Sequence, residues 1–320
     1  MSRHFLLVAF LLVALLSLLA GVAFGSVGLS LGEVLCALSG KESGLAADIV
    51  WQLRLPRVLS AFACGGLLAL AGTLLQALLR NPLADPYVLG ISGGAAVAAL
   101  AAMLFGLAAA VVNLAALGGA LAAVGLVFAL GFSRNGNTMR LLLTGVVLSA
   151  GFGALISLLL TLAQGAQVHG MLFWLMGDLS QAQAPGLAWG ILLAALALCW
   201  WQARSLDILG LGELKAQSLG VAVRPLQLGI YFAASAATAA AVVEAGTIGF
   251  VGLIVPHFVR LLGVSGHRWL LPLAVLAGGS FLTLADTLAR TAAAPQQLPV
   301  GVLTALLGVP LLLFLLTRKI

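Results

Sequence analysis

The sequence predicts an all-α polytopic membrane protein of about ten transmembrane helices, and three observations carry that prediction. The 320 residues are 62% hydrophobic and 8% charged, whereas a soluble domain carries roughly a quarter charged residues. Apolar runs recur near 5–25, 57–79, 88–106, 109–132, 140–162, 186–203, 223–243, 248–262, 269–289 and 299–317. Only helices and closed barrels satisfy their backbone groups in lipid, and apolar stretches of ~17–25 residues read as helices. A barrel would show short alternating segments instead. The third observation is that Lys and Arg fall in the short segments between runs, where they report topology.

The first run follows Arg3 and resembles a secretory leader. At about 20 residues it exceeds the ~7–15 of a leader's apolar core, so it is read as an uncleaved first span. The run 248–262 has 15 residues, short for a full crossing. Charge decides whether it crosses. With ten spans and an internal N-terminus, the inside holds Arg3, Arg80, Arg134, Arg140, Arg204, Lys215, Arg224, Arg260, Arg268, Arg318 and Lys319; the outside holds Lys41, Arg54, Arg57 and Arg290. That is 11 against 4, and a non-crossing 248–262 reduces it to 8 against 7. Ten spans with both termini cytoplasmic is therefore the expected topology of a single transmembrane domain over 1–320. The net charge of +6 follows from this bias, since no basic block or aromatic–basic interleaving marks a nucleic-acid partner.

Two features inside the runs bear on packing. Abundant glycine, 39 residues, suits close helix contacts in lipid. Ala71-Gly72-Thr73 recurs as Ala245-Gly246-Thr247, with Pro82 and Pro256 each nine residues after the Thr. This echo suggests an internal repeat of spans 2–3 and 7–8, as transporters often contain.

Chemistry-bearing residues are few. Cys36, Cys64 and Cys199 show no metal or disulfide spacing and read as small apolar residues. His4, His169, His257 and His267 are dispersed, and no metal site is expected. Met171, Trp174 and Met176 read as an interfacial anchor. No GxxxxGK[ST] phosphate loop occurs, so the chain is not itself an ATPase.

Three polar segments stand out. Residues 202–225 form the longest inside segment and read as two short helices, Leu206–Leu209 and Glu213–Leu219, broken by Gly210, Gly212 and Gly220. Leu211, Leu214 and Leu219 give the second an apolar side against Glu213, Lys215 and Gln217. Such a helix either lies on the bilayer or docks a cytoplasmic partner. RNPLADP, Arg80 to Pro86, is a rigid turn: Pro82 and Pro86 fix φ, and Asn81 and Asp85 can bond their own backbone. WQLRLPR puts Arg54 and Arg57 at the outer mouth of span 2, on the side the charge bias disfavours.

These segments occur in a telling order: LRLPR, GTLLQALLRNPLADPYVLGISGGA, GELKAQSLGV, GTIGFVGLIVPHFVRLLG, LADTLAR and LPVGVLTALLGVPLL. From about Trp51 onward the chain resembles the FecCD-type permeases, the membrane subunits of ABC importers for iron-siderophores, haem and cobalamin. The resemblance implies a homodimer in the inner membrane with the pathway at its interface. It implies two cytoplasmic ATPases that hold the ATP and Mg, with no cofactor on this chain, and a periplasmic substrate-binding protein. Lipid is the remaining partner. It assigns Leu211, Gly212, Glu213, Lys215, Ala216, Gln217, Leu219 and Gly220 to the ATPase-coupling loop, and Asn137, Thr138 and Met139 to the cytoplasmic gate. It assigns Arg54, Arg57 and Arg290 to docking of glutamates on the binding protein, where solvent-exposed pairs are each worth ~0.2–1 kcal/mol and steer encounter. Asp286, at i–4, offers Arg290 a structural alternative. Where the family often has a glutamate, Gln297 leaves Arg290 less neutralised.

An ion-coupled secondary transporter of a small solute is the alternative. Such proteins usually carry acids or bases at mid-membrane; here Asp286 and Glu244 both lie toward the outer ends. A membrane-embedded enzyme would need a nucleophile–base pair or metal cluster, and none is apparent.

Overall fold

Each apolar run of the sequence contains a helix in the computed structural model, which describes residues 2–40, 44–131, 138–182 and 185–317. The helices are α1 (Arg3–Ala23), α2 (Leu31–Leu38), α3 (Leu45–Asp48), α4 (Leu55–Leu79), α5 (Ile91–Leu104), α6 (Ala109–Gly131), α7 (Thr138–Leu162), α8 (Gly165–Met176), α9 (Gly186–Trp201), α10 (Ala203–Leu209), α11 (Glu213–Ser218), α12 (Val223–Ala245), α13 (Val251–Leu261), α14 (His267–Thr291) and α15 (Val300–Thr317). A π-helical turn, Ile49–Arg54, runs α3 into α4. No strand occurs among the described residues. Among the described residues, six helices are long and apolar enough to cross a membrane, and seven if α9 and α10, bent by 64°, form one span. α5, α13 and α15 present shorter apolar stretches. The chain is a multi-pass membrane protein.

α4 is the hub. It packs against α14, α12, α13 and α9, and 94% of its most apolar stretch is buried against 11% for α7. Glycine permits the close crossings. A Cβ on Gly65 would stand 2.2 Å from the Gly278 carbonyl oxygen of α14, and one on Gly72 would stand 1.9 Å from that of Gly252 in α13. Lipid is as apolar as leucine, so helices in membranes gain from backbone proximity and dispersion rather than from burial alone. α7 keeps an exposed apolar face, including Leu143, Val147, Leu155 and Leu158.

The letters that suggested an internal repeat do not occupy matching local positions. Ala71-Gly72-Thr73 lies inside α4, whereas Gly246 terminates α12 and Thr247 lies beyond it. Pro82 is in a loop and Pro256 is inside α13. The matching letters reflect a shared Ala/Gly vocabulary rather than equivalent positions.

Candidate functional site

α4 runs between two polar ends, one holding Arg54, Arg57 and Arg290 and the other Arg80 and the α10–α11 loop. Each end is built differently.

At the arginine end, all three guanidiniums are buried: Arg54 is 4% exposed, Arg57 8% and Arg290 3%. The expectation of solvent-facing cations is corrected here, and the cause is the end of α1. The last carbonyls of a helix have no intrahelical partner and carry its negative dipole end. α1 has no basic residue in its last turn, so other helices supply the cations. Arg54 donates through Nη1 to the carbonyls of Val22 (2.8 Å) and Ala23 (2.7 Å), and through Nη2 to Val27 (2.6 Å). Arg290 Nη2 donates to the Gly21 carbonyl at 2.6 Å.

Asp286, 1% exposed, gathers the other two arginines. Arg57 donates to it through Nε (3.0 Å) and Nη2 (2.8 Å), the bidentate fork that arginine's planar head allows. Arg290 Nε lies 3.4 Å from Asp286 Oδ2 one turn along α14. Gln297 accepts from Arg57 Nη1 at 2.7 Å, so its effect falls on Arg57 rather than on Arg290. The three arginines and Gln297 line one cavity of about 150 Å³, with Gln52 and Ser180 also in its wall.

A larger cavity of about 870 Å³ lies beside α8, lined by His169, Phe173, Trp174, Asp178 and Glu244. Half-buried Trp174 lines this cavity, and Met171 is fully buried. Glu244 accepts a hydrogen bond from Ser60 Oγ at 2.6 Å, which satisfies part of its polarity inside the bundle. Cys36 is exposed while Cys64 and Cys199 are buried. No group of three or more potential metal ligands occurs among the described residues.

At the opposite end, the turn after α4 closes on its own side chains. Asn81 Oδ1 accepts from the Leu83 N–H (2.9 Å) and Asp85 Oδ1 from the Tyr87 N–H (2.8 Å). Burial pushes the Asp85 carboxyl above its ordinary pKa, and the Tyr87 N–H opposes that shift. Pro86 opens a 3₁₀ turn, Pro86–Leu89, that leads into α5.

The α10–α11 loop is fastened to three helices. Asp207 accepts from the backbone N–H of His267 at 2.8 Å, an orphan donor at the start of α14, and lies 2.6 Å from His267 Nδ1. Glu213 accepts from Arg80 Nη2, past the end of α4, and from Gln227 Nε2 of α12, both at 3.1 Å. Gly212 (φ +107°) and Gly220 (φ +81°) bracket α11 in backbone conformations that favour glycine. Ala216 is fully buried and seats α11 on the bundle. Leu211, Leu214 and Leu219 point away, with Leu214 83% exposed; Lys215 and Gln217 are exposed beside them. Of the residues expected at a cytoplasmic gate, Asn137 lies outside the described residues, Thr138 begins α7 and Met139 is exposed.

This architecture recurs in known proteins. A model of the FecCD transport family matches residues 11–318. The hemin transport system permease protein HmuU of Yersinia pestis is 41% identical over 98% of this chain and 96% of its own. The vitamin B12 import system permease protein BtuC of Serratia proteamaculans is 38% identical over 95% and 92%. A solved structure described as an inward-facing metal-chelate type ABC transporter superposes with a TM-score of 0.86 at 30% identity, covering 99% of this chain and all of that one. PsaBC from Streptococcus pneumoniae, at 17% identity and a TM-score of 0.56, shares the fold over 88% of this chain and 94% of its own. The chain belongs to the FecCD transport family.

Proposed function

We propose that the chain is the permease subunit of a type II ABC importer. It carries an iron chelate, ferric siderophore or haem, or else cobalamin, from periplasm to cytoplasm across the bacterial inner membrane. Ten spans place both termini in the cytoplasm. Two copies form the pathway at their interface, and the exposed apolar face of α7 supplies surface for it. The hemin and vitamin B12 permeases among its relatives motivate the substrate class.

One observation carries the reading: α11 and the turns that flank it present three exposed leucines, Leu211, Leu214 and Leu219, on a segment that Glu213 and Ala216 fix to the bundle. An apolar knob on a polar, rigidly held loop suits a groove on a cytoplasmic partner. Force applied there reaches α4 through Arg80, α12 through Gln227 and α14 through the Asp207–His267 contact. The partner is an ATPase dimer that holds ATP and Mg, and its cycle drives alternating access with residues 137–139 as the inner gate. No bond in the substrate changes.

At the other end, a carboxylate of the periplasmic binding protein enters the cavity lined by Arg54, Arg57 and Arg290. One buried Asp against three arginines leaves that cavity positive. Charge complementarity of this kind mainly sets encounter rate and orientation.

The test is co-expression with a candidate ATPase and binding protein. Co-purification and ATP hydrolysis that rises with loaded binding protein are expected. Uptake driven by an ion gradient without any ATPase would overturn the importer reading in favour of a secondary transporter. The docking cavity is tested by Gln52→Glu, which adds an acid to its wall. Association of the binding protein is expected to slow while ATPase assembly is unchanged; an unaltered rate would remove the cavity from docking.

A further inference from the structure

A second basic cavity, of about 470 Å³, lies near the loop end, where α1 begins, α9 bends into α10 and α14 starts. Arg3, Arg204 and Arg268 line it, together with Trp201, Trp269 and Asp207. Asp207 is already committed to the N–H and ring of His267. None of the three arginines forms an ion pair among the described residues. Arg268 is held in place from the other side: its guanidinium lies 5.2 Å from the Trp200 ring centre, and Trp200 Nε1 donates to its carbonyl at 3.0 Å.

The flanks of the cavity are apolar and open. Trp201 is 84% exposed, Leu198 is exposed on the preceding turn of α9, and Phe5 and Val8 are exposed on α1. Guanidiniums beside tryptophans at the end of apolar helices are the pattern of a membrane–water boundary, where indoles sit at headgroup depth. Basic pockets between spans on the cytoplasmic side suit anionic headgroups. A soluble acidic protein would satisfy the arginines but leave the apolar flanks uncovered, whereas a phospholipid satisfies both.

We propose that this cavity binds the phosphodiester of an anionic phospholipid, with its acyl chains lying along α1 and α9. The lipid ties together the start of α1, the α9–α10 bend and the start of α14. Its assignment to the inner leaflet rests on the topology proposed above; its binding does not.

The two parts are separable. Gln202→Cys in a Cys36→Ser background, labelled with a membrane-impermeant maleimide, reports the leaflet alone: labelling from the cytoplasmic side supports the inner leaflet, and labelling from outside overturns it. Lipid binding is read on the delipidated full-length protein in detergent by native mass spectrometry and thermal unfolding. Phosphatidylglycerol is expected to bind and to raise Tm more than phosphatidylcholine. Arg204→Gln with Arg268→Gln should weaken phosphatidylglycerol binding by about five-fold per arginine, taking ~1 kcal/mol for each basic residue near an anionic surface. Arg140→Gln with Arg224→Gln, an equal charge change elsewhere, should leave it unaltered. Equal loss in both double variants would show general charge attraction and overturn the site. Inorganic phosphate reproducing the full stabilisation would overturn the lipid and leave a phosphate site.

Discussion

The same residue type does opposite things at the two ends of α4. At one end, Arg54, Arg57 and Arg290 are nearly sealed from solvent and committed to helix carbonyls and to Asp286. At the other, the side chain of Arg80 is 41% exposed and makes a single 3.1 Å contact with Glu213. The first set of arginines holds the fold together, because a buried guanidinium without partners is far costlier than an exposed one. The second fastens an exposed loop, the surface proposed above to meet the ATPase. Charge on a membrane protein therefore has to be judged by burial and partners, and position along the chain alone misleads.

The contrast can be broken most severely at Asp286. Asp286→Ala leaves Arg57 and Arg290 buried without their shared anion, and removal of one partner from such a pair costs ~3–5 kcal/mol. A large fall in Tm, or loss of folded protein from the membrane, is expected in detergent unfolding. A near-native Tm would mean that these arginines are not structural. Arg54→Gln comes next. It strips the carbonyls of Val22, Ala23 and Val27 of their charged donor, and each buried group left unsatisfied costs ~1–3 kcal/mol. The loss should appear first as hydrogen exchange or proteolysis at the end of α1. Gly65→Ala separates α4 from α14 at their closest crossing and should cost ~1–3 kcal/mol of overpacking, read as a lowered Tm. Arg80→Gln is expected to cost ~0–1 kcal/mol. If Arg80→Gln lowered Tm as much as Arg54→Gln, the distinction between the two ends would collapse.

The sequence foretells the loop end better than the arginine end, for a physical reason. Glycines bracketing a short leucine-bearing helix are a local signal, and α11 forms within a residue of its expected bounds. The Asn81 and Asp85 turn bonds are also local, spanning two residues. The Arg57–Asp286 pair joins positions 229 residues apart, and Arg54 reaches back 32 residues to Val22. Neither periodicity nor spacing reports such a contact. One clue was present: Asp286 and Arg290 share a helix face at i, i+4. A second lies in α1, which ends with no cation of its own, so that its carbonyls are answered from elsewhere. The Ala-Gly-Thr echo is local as well, and its two copies sit in different settings, one inside α4 and one at the end of α12.

Leu214 tests the central claim most directly, because its expected effect on the fold is the smallest of all. At 83% exposure, Leu214→Glu should change stability by no more than ~0.5 kcal/mol. Retention of the ATPase subunits is then measured by affinity purification of the tagged permease, wild type beside variant, with Tm recorded for both. The account predicts that the wild type retains the ATPase and that Leu214→Glu loses it at unchanged Tm. A variant that holds the ATPase as firmly as the wild type would contradict the coupling role of α11.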